Sequence, residues 1–105
     1  GWSDGWAGPR WVLSGMALPV SMKTLELRGK TFPHVFKTPL KLTVLVGGKH
    51  VQQIQVEKDG TFALTVPLSR APIEILADQY FIPAQLGTRA DKRPLSWLIE
   101  AMNLT

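Results

Sequence analysis

Hydrophobic and polar residues alternate with a period of two over several short segments, the pattern of half-buried β-strands. The clearest segment runs from Leu40 to Val46, where leucine and valine at the even positions share one face. Lys41 and Thr43 fall on the opposite face. Similar alternation predicts strands at 51–56 and 61–66, the latter with Phe62, Leu64 and Val66 inward.

Two turn signals separate these three segments. Gly47 and Gly48, followed by Lys49, tolerate the positive φ angles that a tight hairpin needs. Asp59-Gly60 is a second strong turn sequence. Pro67 ends the third segment. We therefore expect residues 40–66 to form a three-stranded antiparallel meander.

Further short strands are predicted elsewhere in the chain, at 11–13, 23–28 and 72–77. The last stretch, 95–104, is mixed: Leu95, Trp97 and Ile99 share one parity, whereas Leu98, Met102 and Leu104 have the other. A β-bulge near Glu100-Ala101 reconciles the two sets. A short helix is the alternative for this stretch.

About seven or eight short strands, with eight prolines and nine glycines between and within them, favour an all-β antiparallel sandwich. The 105 residues suffice for a single domain, 1–105, with its own core. The chain begins at Gly1 without methionine, and we expect it to be excised from a longer protein. Two long connections, 29–39 and 78–94, are of the length that often carries function.

Composition narrows the function further. The chain contains no cysteine, which excludes disulfides and thiolate metal sites. The net charge of +4 is spread over scattered side chains rather than a basic run, so nucleic acid is not an expected partner. No segment approaches the about 20 apolar residues of a membrane span, and no signal peptide is visible. Cytoplasm and cell envelope both stay open as locations.

No catalytic constellation is visible in the sequence, and no cofactor or metal is expected. His34 and His50 share no ligand spacing, and Gly47-Gly48 lacks the following helix of a phosphate-binding loop. The least favoured alternative is a carboxylate-dependent hydrolase that gathers Asp4, Asp78 and Asp91 in one cleft.

Two segments stand apart from the strand pattern, 2–11 with three of the four tryptophans, and 80–93. Aromatic rings stack on the apolar face of a sugar while polar side chains bind its hydroxyl groups. This chemistry indicates a carbohydrate site whose candidate residues are Trp2, Trp6, Tyr80, Asp4, Arg10, Gln85, Asp91 and Arg93.

A structural alternative exists for the same residues. Large aromatics such as Trp6, Trp11 and Phe81 also plug the open ends of a sandwich. Arg10 and Arg93, in turn, can bind loop carbonyls or pair with the nearby aspartates instead of holding a ligand.

The order of short motifs along the chain resembles a known family. Asp4-Gly5-Trp6, Gly8 and Arg10-Trp11 open it, and Phe81-Ile82-Pro83, Gly87, Asp91, Arg93 and Leu95 close it. This pattern is similar to that of small β-sandwich accessory modules of bacterial glycosyltransferases and other envelope-glycan proteins. Pro9 stands where a common form of the pattern has an acid.

The resemblance implies a jelly-roll-like fold related to carbohydrate-binding modules, and a setting in the bacterial cytoplasm or envelope. The leading hypothesis is a non-catalytic accessory domain that binds glycan or positions a fused catalytic part. The alternative is a structural or oligomerisation module, with another domain or a second copy as its partner.

Overall fold

The computed structural model describes residues 4–14, 21–87 and 91–105. Within them the chain forms eight β-strands and two short 3-10 turns, at Pro33–Val35 and Pro83–Leu86. The strands are β1 (Trp6–Ala7), β2 (Arg10–Leu13), β3 (Thr24–Lys30), β4 (Lys41–Val46), β5 (Lys49–Gln55), β6 (Thr61–Pro67), β7 (Ile73–Ala77) and β8 (Trp97–Leu104).

The strands form two four-stranded antiparallel sheets, in the orders β1-β8-β3-β6 and β2-β7-β4-β5. The hairpin β4–β5 is nested within the pair β3–β6, which is nested within β2–β7 and then β1–β8. Successive pairs alternate between the sheets, as if one long hairpin had been rolled up. This is the jelly-roll arrangement, and it confirms the predicted antiparallel, jelly-roll-like sandwich.

The core lies between the two sheets and follows the alternation seen in the sequence. Inward positions of both sheets are buried, among them Leu25, Leu27, Leu42, Val44, Leu64, Val66, Ile73 and Ile75. Trp97 is fully buried at the centre, with ring contacts to Trp11 at 5.7 Å and to Phe62 at 5.5 Å. Trp11 is thus a core residue, as the structural alternative expected.

The predicted meander is wrong in its third strand. The hairpin at Gly47-Gly48 joins β4 to β5 as expected, but β6 lies in the other sheet and pairs with β3. The Asp59-Gly60 turn therefore crosses between the sheets. Its position is fixed by Gly60, whose amide donates to the Glu57 carbonyl at 2.9 Å and whose carbonyl accepts from Thr31 at 2.8 Å. Alternation predicts which face of a strand is buried. It does not predict to which sheet the strand belongs, because the strands of both sheets bury an apolar face.

The predicted bulge in the last strand is confirmed. Arg28 pairs with Ala101 and Gly29 with Ile99, which leaves Glu100 as the extra residue of β8. The bulge brings Ile99 and Leu104 to the same face despite their different parity. The short-helix alternative is therefore wrong.

Candidate functional site

The two long connections meet at one place. One is the loop between β3 and β4, and the other is the segment between β7 and β8. The Gln79 side-chain amide donates to the carbonyl and the hydroxyl of Thr38, at 3.0 and 3.2 Å. The buried Thr31 hydroxyl donates to the Ser96 carbonyl at 2.6 Å, and the Ser96 hydroxyl donates to the Gln79 carbonyl at 2.7 Å. These bonds fix the two connections against each other.

An aromatic cluster lies where the connections meet. Phe81, which is buried, contacts Trp6 at a ring-centroid distance of 5.7 Å and Phe36 at 5.9 Å. Phe32 lies 5.6 Å from Trp6 and 6.1 Å from Phe81. His34 extends the cluster, 6.1 Å from Phe32. The tilted and edge-to-face angles of these pairs are the arrangements that aromatic rings favour.

A groove of about 300 Å³ opens over this cluster. Its walls are mainly apolar, and two of the apolar lining side chains are well exposed: Phe32 at 45% and Leu86 at 50%. The residues that line it are Asp4, Trp6, Phe32, His34, Val35, Phe81, Pro83, Leu86, Asp91, Arg93 and Leu95. We call this the aromatic groove.

The polar side chains of the aromatic groove are organised by Arg93. Its Nη2 atom donates to Asp91 and to Asp4, each at 2.7 Å, and its Nε donates to Asp91 at 3.0 Å. Asp91 also accepts from the backbone amide of Arg93 at 3.0 Å. The other oxygen of Asp4 accepts from the backbone amide of Trp6 at 3.2 Å, so the carboxylate also helps to position that ring.

The contacts in this group shift the pKa values of Asp4 and Arg93 in the directions that favour their charged forms. The hydrogen bond from Arg93 lowers the pKa of Asp4 below its usual range, with the Trp6 amide as a further contribution. The two aspartates, Asp91 first, raise the pKa of Arg93. The hydrolase alternative places Asp4, Asp78 and Asp91 in one cleft, and only Asp4 and Asp91 line the groove. Asp78 accepts from the backbone amide of Lys41 at 2.9 Å and does not line the groove.

Four of the candidate residues come together in the aromatic groove: Asp4, Trp6, Asp91 and Arg93. Three others do not line it: Tyr80, Gln85 and Arg10. Trp2 lies outside the described residues.

The local backbone explains these positions. Phe81 points into the cluster and Tyr80, its neighbour, is 56% exposed, because successive side chains of extended backbone point to opposite sides. Arg10 lies in β2 of the other sheet, where its Nε donates to Glu74 at 3.1 Å. The expected pairing with aspartate is thus found for Arg93 but not for Arg10.

The groove also contains residues that are not among the predicted carbohydrate-binding residues, chiefly Phe32, His34, Val35, Pro83 and Leu86. Three of them lie in the connection 29–39, which was noted for its length alone. The sequence Phe32-Pro33-His34 in a long connection is the signal that could have identified them.

Within the part of the chain that the structure describes, no three His, Asp or Glu side chains are grouped as metal ligands. In the same residues, no helix is long and apolar enough to cross a bilayer. No protein-family model, curated protein or solved structure matches this chain. The functional argument therefore rests on the aromatic groove itself.

Proposed function

We propose that the chain is a non-catalytic carbohydrate-binding domain, an accessory module of a glycosyltransferase-like protein, and that the saccharide binds in the aromatic groove. One observation carries the proposal. The exposed ring of Phe32 and the half-buried ring of Trp6 line the same groove as the Asp4–Arg93–Asp91 group. Apolar ring faces beside fixed polar groups are the two components of sugar recognition.

The polar component suits hydroxyl groups in particular. Carboxylate oxygens are strong acceptors, and the carboxylate of Asp4 is 46% exposed while Arg93 holds it in place. A hydroxyl group of a saccharide can donate to such an oxygen with little loss of side-chain entropy, because the carboxylate is already ordered.

The first test is a titration with soluble neutral oligosaccharides of several linkage types, followed by tryptophan fluorescence and calorimetry. We expect saturable binding of one class. In Phe32→Ala we expect that affinity to fall by about tenfold or more, since a stacked aromatic pair contributes about 0.5–1.5 kcal/mol beyond the area that it buries.

Tyr80→Ala is the matched control, because Tyr80 is an exposed aromatic residue that lies near the groove in sequence but does not line it. The Tyr80→Ala variant should bind the saccharide with the same affinity as the unsubstituted domain. If no class binds, or if both variants lose affinity equally, the proposal is wrong.

A second candidate function has its own observation. The outer face of the β2-β7-β4-β5 sheet carries Val12, which is 41% exposed and has Leu76 as a diagonal neighbour in β7. Glu74 lies directly opposite Val12 and separates it from Leu45, so this face combines apolar side chains with the Arg10–Glu74 ion pair. A face of this mixed kind suits docking against another domain or a second copy. If it docks a second copy, light scattering will show a dimer whose dissociation constant rises in Val12→Asp, whereas a monomer at all concentrations argues against self-association.

A further inference from the structure

Two carboxylates and one guanidinium lie among the described side chains that line the aromatic groove. Arg93 is the only arginine or lysine among the described residues that line it, and its guanidinium is already bound by two carboxylates. A carboxylate, sulfate or phosphate group of a ligand that lies close to Arg93 would also lie close to Asp4, the more exposed of its two partners. We infer that the groove selects uncharged saccharides and rejects anionic ones, an inference that rests on the proposed carbohydrate-binding function.

The geometry explains why the arginine does not recruit anions. Arginine recognises an anion by donating two parallel hydrogen bonds from adjacent nitrogens. In this domain Nε and Nη2 of Arg93 already donate in this manner to Asp91, at 3.0 and 2.7 Å. Its Nη2 also donates to Asp4 at 2.7 Å. The edge of the guanidinium formed by Nε and Nη2 is therefore occupied.

The carboxylates of Asp4 and Asp91 favour hydrogen-bond donors over anions. An ionised carboxylate accepts hydrogen bonds but cannot donate. Asp4, which accepts a hydrogen bond from Arg93 at 2.7 Å, is ionised at neutral pH and favours a donating group such as a sugar hydroxyl. An anionic group at the same distance is repelled by the like charge. Selectivity of this kind arises from an unfavourable contact with the wrong ligand.

The experiment compares three forms of the oligosaccharide that binds best in the titration above. The first is the unmodified saccharide, the second has its primary hydroxyl groups oxidised to carboxylates, and the third is the methyl ester of the second. The ester has the shape of the oxidised form without its charge. We expect the oxidised form to bind about tenfold more weakly than the ester, with the difference shrinking at high salt.

Asp4→Asn tests the residue responsible. The asparagine keeps an acceptor for Arg93 but loses the charge. The ratio of the affinities for the ester and for the oxidised form should therefore decrease several-fold. Glu74→Gln is the matched control, since it makes the corresponding carboxylate-to-amide change in another arginine–carboxylate pair, Arg10–Glu74, outside the groove. The Glu74→Gln variant should leave the ratio of the affinities for the ester and for the oxidised form unchanged.

The outcomes separate the two proposals. Oxidised saccharide that binds as tightly as its ester overturns the charge selectivity and leaves carbohydrate binding intact. The charge selectivity is also overturned if the difference in affinity between the ester and the oxidised saccharide does not depend on salt concentration. This measurement uses the unsubstituted domain and does not require any variant to fold. Absence of binding by all three forms overturns the proposed function and this inference together.

Discussion

The carboxylate of Asp4 and the guanidinium of Arg93 lie 2.7 Å apart although 89 residues separate them along the chain. Asp4 precedes β1 and Arg93 precedes β8, and these two strands are neighbours that pair Trp6 with Leu98. Because the two strands are antiparallel, their first residues lie at opposite ends of the pairing, so the ion pair is a separate tertiary contact and not a continuation of the strand pairing. It fixes the residues before β1 against the aromatic groove.

This pair predicts a specific response to acid. Since the pKa of Asp4 lies below its ordinary value of 3.8, the unfolded chain binds a proton in a pH range where the folded chain does not. Stability from this group is complete above about pH 5 and is lost as the pH falls through the lowered pKa. Thermal melts between about pH 5 and pH 2 should show a smaller decrease in Tm for Asp4→Asn than for the unsubstituted domain. An unchanged pH dependence in the variant would contradict the role of Asp4.

Trp6 supports the fold as well as the proposed binding site, because its half-buried ring packs on Phe32 and Phe81. Trp6→Ala should lower the free energy of unfolding by about 2–3 kcal/mol, at or below the range of a fully buried aromatic residue. Tyr80→Ala, at an exposed position, should change it by about 0.5 kcal/mol or less. Urea unfolding of both variants tests this. Equal stabilities would show that Trp6 does not support the fold.

Gly29 allows a close approach beside the bulge of β8. A Cβ atom at this position would lie 2.7 Å from Cε1 of Phe62 and 2.8 Å from the carbonyl oxygen of Leu98. Gly29→Ala should therefore destabilise the domain by about 1–3 kcal/mol through overpacking.

A double-mutant cycle with Phe62→Leu identifies the cause. If the ring is the main obstacle, the double variant should be more stable than the sum of the two single changes predicts. Additive effects would assign the cost to the Leu98 carbonyl instead, which no side-chain substitution relieves.

The buried hydroxyl of Thr31 links the two connections that form the groove, through its hydrogen bond to the Ser96 carbonyl. Thr31→Val keeps the shape of the side chain but removes the donor, which should cost about 1–3 kcal/mol. Thr65→Val, at an exposed position of β6, is the control and should change stability by about 0.5 kcal/mol or less. Chemical unfolding measures both, and equal values would show that the hydrogen bond contributes nothing.

The candidate site was predictable in part. Asp4, Trp6, Asp91 and Arg93 were identified because aromatic, acidic and basic residues stand together in segments that lack strand alternation. Phe32 was missed because its segment offers no such combination. Phe32 follows β3 and Trp6 lies in β1. Only the fold brings them together, because β8 lies between these two strands in one sheet. Tyr80 was selected for its residue type, although the extended backbone directs Phe81 into the groove and Tyr80 to the solvent.

Features that depend on only a few consecutive residues follow from the amino-acid sequence alone. The period of two in side-chain direction specified which residues of β3, β4, β6 and β7 are buried, and the change of parity after Ile99 located the bulge at Glu100. The paired glycines specified the β4–β5 hairpin. The tertiary structure decided which strands pair, because both sheets bury their apolar faces against the same core, and alternation alone cannot distinguish them. It also decided which connections meet, and so it alone formed the aromatic groove.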